Sequence, residues 1–410
     1  MPLRAAGIIV EYNPFHNGHL YHLQQTKKQT QADIIIAVMS GDFLQRGEPA
    51  LLSKWTRTTL ALKAGVDLVV ELPYAYATQK AEVFAWGAVC ILADLGVTDI
   101  VFGSEAGDIE PFHRTVRAME SRKAAFDRAV KAHTALGVSY PKAASFAFRD
   151  LGLSGEEYID LSQPNNILGY HYVDAVRRLG RPIQTATVKR LKADYHDNDI
   201  RDDRIASATA IRQALFAGSA RREELRRLVP PYTADALFAA QDNGTLRSWE
   251  DYFPFLKYRL LTARHQELSA IYEAEEGLEN RLKAFALRAA NFKEWMELIK
   301  TKRYTWTRLQ RLATHVLTGA TKEEMAGAGL FQKPPYIRLL GMNGKGQKYL
   351  NRIKKDLKVP IITKIASSRS PVAALDERAA LCYRLIKPSD DRGDFDRSPV
   401  RYDEASGRTL

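Results

Sequence analysis

Residues 11–20 read E-Y-N-P-F-H-N-G-H-L, directly after the apolar run Ala5–Val10. The run has the length and composition of a buried strand, and Pro14 and Gly18 mark a tight turn with a close backbone approach. Asn17 is a natural helix-start residue. The stretch therefore reads as a first strand handing over to a helix whose opening turn carries His16 and His19. Residues three apart on a helix face the same way. The opening turn also has free backbone N–H groups and the positive end of the helix dipole, which together suit an anion. Two imidazoles there can donate hydrogen bonds to phosphate oxygens, and such bonds strengthen as charge builds up during attack on an α-phosphate.

Working outward, strand-length apolar runs recur at Asp33–Met39, Leu68–Leu72 and Ile100–Gly103, separated by helical patterns at His19–Gln31, Lys54–Ala64 and Glu82–Leu95. This alternation predicts a parallel sheet covered on both faces, an α/β fold whose ligands bind beyond the carboxyl ends of the strands. Three turn segments then cluster: Asn13–His19, Ser40–Ala50 (S-G-D-F-L-Q-R-G-E-P-A) and Gly103–Gly107 (G-S-E-A-G). Residues 110–160 read as a helical insertion. A helix follows from Pro164, a strand at Pro182–Val188, and a Ser/Thr-capped helix within Ile205–Leu215. These elements place a first domain at 1–220.

From about residue 220 helical patterns dominate, with one at Phe255–Glu275. Strand character returns only at Tyr336–Leu340 and Ile361–Lys364, which reads as a small separate αβ piece. The expectation is an α-rich basic domain over 221–388 and a polar, mobile tail over 389–410. Between residues 300 and 364 there are fifteen Lys or Arg against three acidic residues, an excess that equals the net charge of +12 of the whole chain. Such localisation points to a polyanionic partner. No apolar run approaches the roughly 20 residues that span a bilayer, and Cys90 and Cys382 are the only cysteines. Membrane insertion, a disulfide scaffold and a structural zinc site are accordingly not expected, and a reducing cytoplasm is.

Several constellations carry chemistry. Ser207-Ala208-Thr209-Ala210-Ile211-Arg212 places hydroxyls and free N–H groups at a helix start, suited to a β- or γ-phosphate. Lys189 and Arg190 follow a late strand, where an arginine reaches the sheet's carboxyl edge. Asn165 and Asn166 precede a helix and can read an adenine edge or a ribose, or cap the helix. In the loop after the second strand, Arg46 can meet a small carboxylate and Asp42 can orient a nucleophile or a metal. Gly103 permits close approach to adenine or phosphate. Further on, K-R-Y-T-W-T-R-L-Q-R (302–311) interleaves Lys302, Arg303, Arg308 and Arg311 with Tyr304 and Trp306, cations for phosphates and rings for exposed bases. Lys345 lies in a second basic turn. His22 lies one turn past His19, but no third His or carboxylate at metal-ligand spacing accompanies it, so it reads as a helix-surface or core histidine and not a zinc ligand.

His16-Asn17-Gly18-His19 resembles the H-x-G-H signature of the HIGH nucleotidyltransferase superfamily, and 207–212 resembles the I-S-S-T-x-I-R element of adenylyltransferases, with Ala208 where serine is usual. With 11–19, 40–50, K-W-T-R at 54–57, P-N-N-I-L-G at 164–169 and 302–311 in order, the chain resembles the bacterial tRNA(Met) cytidine acetate ligase family over most of residues 5–365. The resemblance implies a Rossmann-like domain that activates acetate with ATP as acetyl-adenylate and passes the acetyl group to N4 of the wobble cytidine of elongator tRNA(Met). It implies ATP contacts along the run from Gly7 through Ile8, Ile9, Val10, Glu11, Tyr12, Asn13, Pro14, Phe15, His16, Asn17, Gly18 and His19 to Leu20, and at Gly103, Asn165 and Arg190. Pyrophosphate would be neutralised by Arg190, the Ser207–Thr209 helix start and Mg²⁺. A small-molecule adenylyltransferase of cofactor metabolism shares both nucleotide motifs without needing a basic helical domain. A non-catalytic RNA-binding protein on a residual nucleotide fold is a third reading, against which the retention of both histidines speaks.

Overall fold

The fold, taken from a computed structural model, is described for residues 3–190, 206–217, 221–386 and 393–409. Among these residues nine strands form one sheet. Five are parallel: β1 (Ala5–Val10), β2 (Ile34–Ser40), β3 (Leu68–Leu72), β4 (Asp99–Ser104) and β5 (Gln184–Lys189), in the order β5-β4-β1-β2-β3. The chain passes from β1 to β2 on one side and later to β4 on the other, so the order reverses at β1/β4. That reversal is where a doubly wound sheet opens a crevice.

Both faces are covered, which is why the strands read as continuous apolar runs. Ile34, Ile36 and Val38 join one core cluster, shared with the helix Ala81–Asp94. The alternate residues Ile35, Ala37 and Met39 join another, shared with α1 (Asn17–Thr30) and α2 (Lys54–Lys63). Residues 110–150 form two helices, Glu110–Ala135 and Tyr140–Asp150, with small apolar contacts of their own through Phe148 and Ala147.

Three expectations are corrected. The strand expected at Tyr336–Leu340 is no separate piece: β6 (Ile337–Asn343) pairs antiparallel with β3 and extends the main sheet, with β7 (Ile361–Ile362) beside it. Gly341 makes this possible, since a Cβ there would lie 2.6 Å from Thr58 Cγ2 on α2. Of the tail, 389–392 lie outside the described residues, but 393–409 are built in. β8 (Val400–Asp403) pairs with β6, and β9 (Arg408–Thr409) with β8. The helix expected over Phe255–Glu275 starts earlier and stops sooner, as Trp249–Thr262. A Ser248/Asp251 capping box starts it, and Pro254 is tolerated in its second turn. The chain from Glu273 to Glu276 turns instead, with left-handed φ of 64° and 58° at those two residues.

A buried charge network explains why the C-terminal segment is held. Asp394 accepts from Lys54 Nζ at 2.8 Å, Trp55 Nε1 at 3.0 Å and Arg338 Nη1 at 2.7 Å. Lys54 also pairs with Glu71 on β3 at 2.7 Å, and Arg338 with Glu71 at 3.1 Å. All four side chains are buried. Burial works against the charge on Lys54 and Arg338, but Asp394 and Glu71 hold both above their ordinary values. Burial likewise opposes the Asp394 carboxylate, yet Lys54 and Arg338 hold it well below the usual range.

Candidate active site

The turn after β1 is built around its two histidines. His16, not Asn17, is the N-cap of α1: its backbone is extended (φ −140°, ψ 174°) and its Nδ1 accepts the Gly18 N–H at 3.0 Å. His19 returns the favour, its Nδ1 accepting the His16 N–H at 3.3 Å. This is a capping box in which imidazoles stand in for the usual hydroxyl and carboxylate. The rings lie 3.8 Å apart between centroids, and Tyr12 meets His19 edge-on at 5.0 Å. Since each Nδ1 accepts a backbone N–H, a neutral ring carries its proton on Nε2 and is a donor there. Both rings are neutral at pH 7. Burial, then the nearby Arg190 guanidinium, lowers His16 to about 4. Burial, His16 and Arg190 hold His19 well below its ordinary value, against a hydrogen bond with the Pro14 backbone.

These shifts predict a pH dependence of stability. Burial also takes His22 to about 4. The unfolded chain takes up these protons near its ordinary value of 6.5 and the folded chain near 4. Between those values the unfolded state binds more protons, so stability rises with pH there. The contribution is complete above about pH 6.5 and is lost as pH falls toward 4, by up to about 1.4 kcal/mol per pH unit for each histidine. Urea midpoints measured from about pH 7.5 to 4.5 should fall steadily, and a flat profile contradicts the assignment.

Across the β1/β4 crevice stands the second wall. Arg190 donates its backbone N–H to Ser104 O at 2.9 Å, and its exposed side chain lies over Gly103, with Cγ 3.4 Å from where a Cβ would sit. Asn165 is present at this wall, but Glu105 holds it: the carboxylate accepts its Nδ2 at 2.6 Å and the Asn166 N–H at 2.9 Å. Arg190 lowers both His16 and His19, and Glu105 opposes the loss of charge on Arg190, so the structure brings the predicted Gly103, Asn165, Arg190 and histidine pair into one neighbourhood. Along β1 itself, Gly7 and Ile8 are sealed in the sheet: a Cβ on Gly7 would lie 2.7 Å from Leu92, and Ile8 is fully buried.

The loop after β2 closes the site from the other side. Glu11 accepts Gln45 N–H at 2.7 Å, and Asn13 Oδ1 accepts Leu51 N–H at 2.6 Å. Arg57 on α2 donates to the backbone oxygens of Glu11, Ser40, Gly41 and Leu52. Ser207 caps its helix, accepting Ala210 N–H at 3.1 Å, and Thr209 lies beside Arg212. Arg212 reaches Asn13 O at 2.8 Å and Glu48 at 2.9 Å, tying this helix start to the histidine turn.

A model of the HIGH Nucleotidyl Transferase family matches residues 3–397. The tRNA(Met) cytidine acetate ligase of Halalkalibacterium halodurans is 51% identical over 98% of this chain and 98% of its own. The enzyme of the same name from Bacillus subtilis is 47% identical with the same coverage. The chain belongs to the tRNA(Met) cytidine acetate ligase family of HIGH nucleotidyltransferases. A crystal structure of Thermotoga maritima TmcAL bound with alpha-thio ATP superposes with a TM-score of 0.88 at 34% identity, covering 98% of this chain and 100% of that one.

Within this ligase family fold, other expected residues fall elsewhere. Asp42 is not free to orient a nucleophile. It is buried, and its Oδ1 accepts the Lys54 N–H at 3.3 Å while Lys54 Nζ lies 3.5 Å from Oδ2. Burial pushes its carboxyl up, Lys54 opposes this, and Asp394 and Glu71 add to it. Arg46 is exposed beside the site and holds Gln310 through its backbone oxygen at 3.0 Å. Tyr304 is no stacking platform: it is buried, with its hydroxyl on Glu276 at 2.5 Å. The arginines around it are paired, Arg303 with Glu276 (2.6 Å), Arg308 with Glu275 (2.8 Å) and Arg311 with Glu273 (2.9 Å). Lys302 is exposed. Lys345 opens the helix Gly344–Ile353, next to Asp67 at the amino end of β3. It thus lies at the opposite end of the sheet from the histidine turn, and the basic segment is not one continuous patch. Glu48, Arg57 and Glu105 were not singled out from sequence. Arg57 lies in the K-W-T-R motif, the one signal that pointed to it.

Proposed function

We propose that the protein is an ATP-dependent tRNA(Met) cytidine acetate ligase. The observation that carries this reading is the neutral histidine pair at the start of α1, facing Arg190 across the sheet's reversal point, in a chain 51% identical along its length to a ligase of that name. The alpha-thio ATP of the Thermotoga protein supports ATP as the nucleotide. In the first step a carboxylate oxygen of acetate attacks the α-phosphorus in line and pyrophosphate leaves. The Nε2–H groups and the positive end of the α1 dipole stabilise the charge that builds on the α-phosphate oxygens. Arg190 and the Ser207–Thr209 helix start receive the departing charge.

Among the described residues no group of three or more His, Cys, Asp or Glu could hold a metal ion. Mg²⁺ accompanying ATP would be held chiefly by the phosphate oxygens and water, which needs no such group. In the second step the mixed anhydride acylates N4 of the wobble cytidine, a reaction that needs mainly positioning. The helix Trp306–Thr318 packs on the active-site loop: Thr314 Oγ1 donates to Gly47 O at 2.8 Å. RNA bound along Lys302, Arg303 and Arg308 would therefore lie beside Arg46. No described helix is long and apolar enough to cross a membrane, and we place the enzyme in the cytoplasm with its tRNA.

The test is nucleoside mass analysis of elongator tRNA(Met) after incubation with the protein, ATP and acetate. N4-acetylcytidine at the wobble position, dependent on acetate, supports the reading; acetate-independent pyrophosphate exchange with no modified cytidine refutes it. A further outcome concerns the RNA face. Changing Arg303 and Arg308 together to alanine should weaken tRNA binding and lower the slope of log K against log salt by about 1–2, since each arginine exchanges a glutamate for a phosphate. An unchanged slope in filter binding at several salt concentrations would move the RNA site elsewhere.

A further inference from the structure

The acetyl-transfer step needs a group the adenylation machinery does not supply. The cytidine amine must lose a proton as it becomes an amide nitrogen, and the histidine pair is committed to the phosphate. Four carboxylates stand near the carboxyl edge of the sheet. Asp42 is locked onto Lys54, Glu48 onto Arg212, and Glu105 onto the helix start at Asn165 and Asn166. Glu11 is different. It follows β1 directly and precedes the histidine turn, and it has no ion pair within 4.0 Å among the described residues. Its Oε1 accepts Gln45 N–H at 2.7 Å and the Ser40 hydroxyl at 3.4 Å. Its Oε2 makes no hydrogen bond among the described residues and is not sealed from solvent. One oxygen is thus used to aim the carboxylate and the other is open.

We propose that Glu11 is the proton acceptor of acetyl transfer, receiving a hydrogen of the cytidine N4 amine as that nitrogen attacks the acetyl carbonyl carbon. This rests on the ligase reading above. A carboxylate is the natural partner of a cytosine N4 amine, which is a donor only. The N4 lone pair forms the new C–N bond, and one N4 proton passes to Glu11 Oε2. The C–O bond to the adenylate then breaks, and AMP leaves with that electron pair. Glu11 afterwards returns its proton to water. The surroundings suit a base. Burial raises the carboxyl above its ordinary value, the Gln45 N–H and Arg46 lower it, Glu48 raises it and Arg57 lowers it. Tyr172, from the helix Pro164–Leu179, also feels its charge. A carboxylate lifted toward neutrality is a better general base than one at the usual value.

The test separates the two half-reactions in the full-length protein. Acetate-dependent pyrophosphate exchange reads the first, and single-turnover acetyl transfer to elongator tRNA(Met) reads the second. For Glu11→Gln, acetyl transfer measured per acetyl-adenylate formed in the same single turnover should fall by about 10²–10⁴-fold, a loss beyond any fall in exchange and in acetyl capture by hydroxylamine, which read the ATP contacts of this run. In the unmodified protein transfer should decline as pH falls through the Glu11 pKa; that acid limb should vanish in Glu11→Gln and return with partial rate in Glu11→Asp. Proportional loss of both half-reactions, or an acid limb that persists in Glu11→Gln, overturns the proposal. Capture by hydroxylamine without any acetylated tRNA from the unmodified protein would instead refute the tRNA reading itself.

Discussion

Replacing His16 by alanine should lower acetate-dependent pyrophosphate exchange by about 10²–10³-fold, the usual loss when one preorganised donor to a developing negative charge is removed. His16 is also the cap of α1, so the substitution orphans the Gly18 N–H. A lost cap costs about 1 kcal/mol, too little to unfold a domain with cores on both sheet faces. The two contributions can be separated. His16→Asn offers an acceptor to the same N–H and should restore most of the stability without restoring exchange. Affinity for tRNA should be nearly unchanged in both, because the basic residues 302–308 lie at and just before the start of another helix, Trp306–Thr318. If His16→Asn recovers exchange along with stability, the histidine is a cap and nothing more.

The second large effect is on folding. Asp394→Ala should destabilise the protein by about 3–5 kcal/mol, because it leaves buried cations without their counter-charge. Lys54 Nζ and Arg338 Nη1 both lose a partner within 2.8 Å, and Trp55 Nε1 loses its acceptor. Glu71 then faces both cations, with Asp42 3.5 Å from Lys54 Nζ as the one other carboxylate paired with either among the described residues. Asp42 is tied to Lys54, so the loop 41–53 should loosen as well. Urea unfolding reads the loss as a lower midpoint at unchanged slope. A loss below about 1 kcal/mol would mean that the C-terminal segment is only laid against the sheet.

That network also shows where the sequence stops being informative. β1, β3 and the histidine turn are legible because strands buried on both faces leave an unbroken apolar run, and because turn residues and paired histidines have few other uses. β2 and β4 differ from the expected bounds by a residue or so at each end. Lys54, Arg338 and Asp394 read as surface charges, since the only thing that lets them be buried is one another, across separations of 56 and 340 residues. β6 departs from the expected separate piece for the same reason. Its pairing with β3 is long-range and antiparallel, and no local pattern announces it. The ion pairs of Arg303, Arg308 and Arg311 are equally invisible in the sequence, because their partners Glu273, Glu275 and Glu276 come from a turn with left-handed φ at two of its residues where the pattern predicts helix. The charge excess of the segment is real, but folding divides it between the two ends of the sheet.

The central claim is that the histidine turn holds ATP so that a carboxylate oxygen attacks the α-phosphorus. Acetate labelled with ¹⁸O in both oxygens, followed by mass analysis of the products after acetyl transfer, tests it most directly. The account predicts one ¹⁸O in AMP and none in pyrophosphate. Label in pyrophosphate or phosphate, or unlabelled AMP, would contradict it.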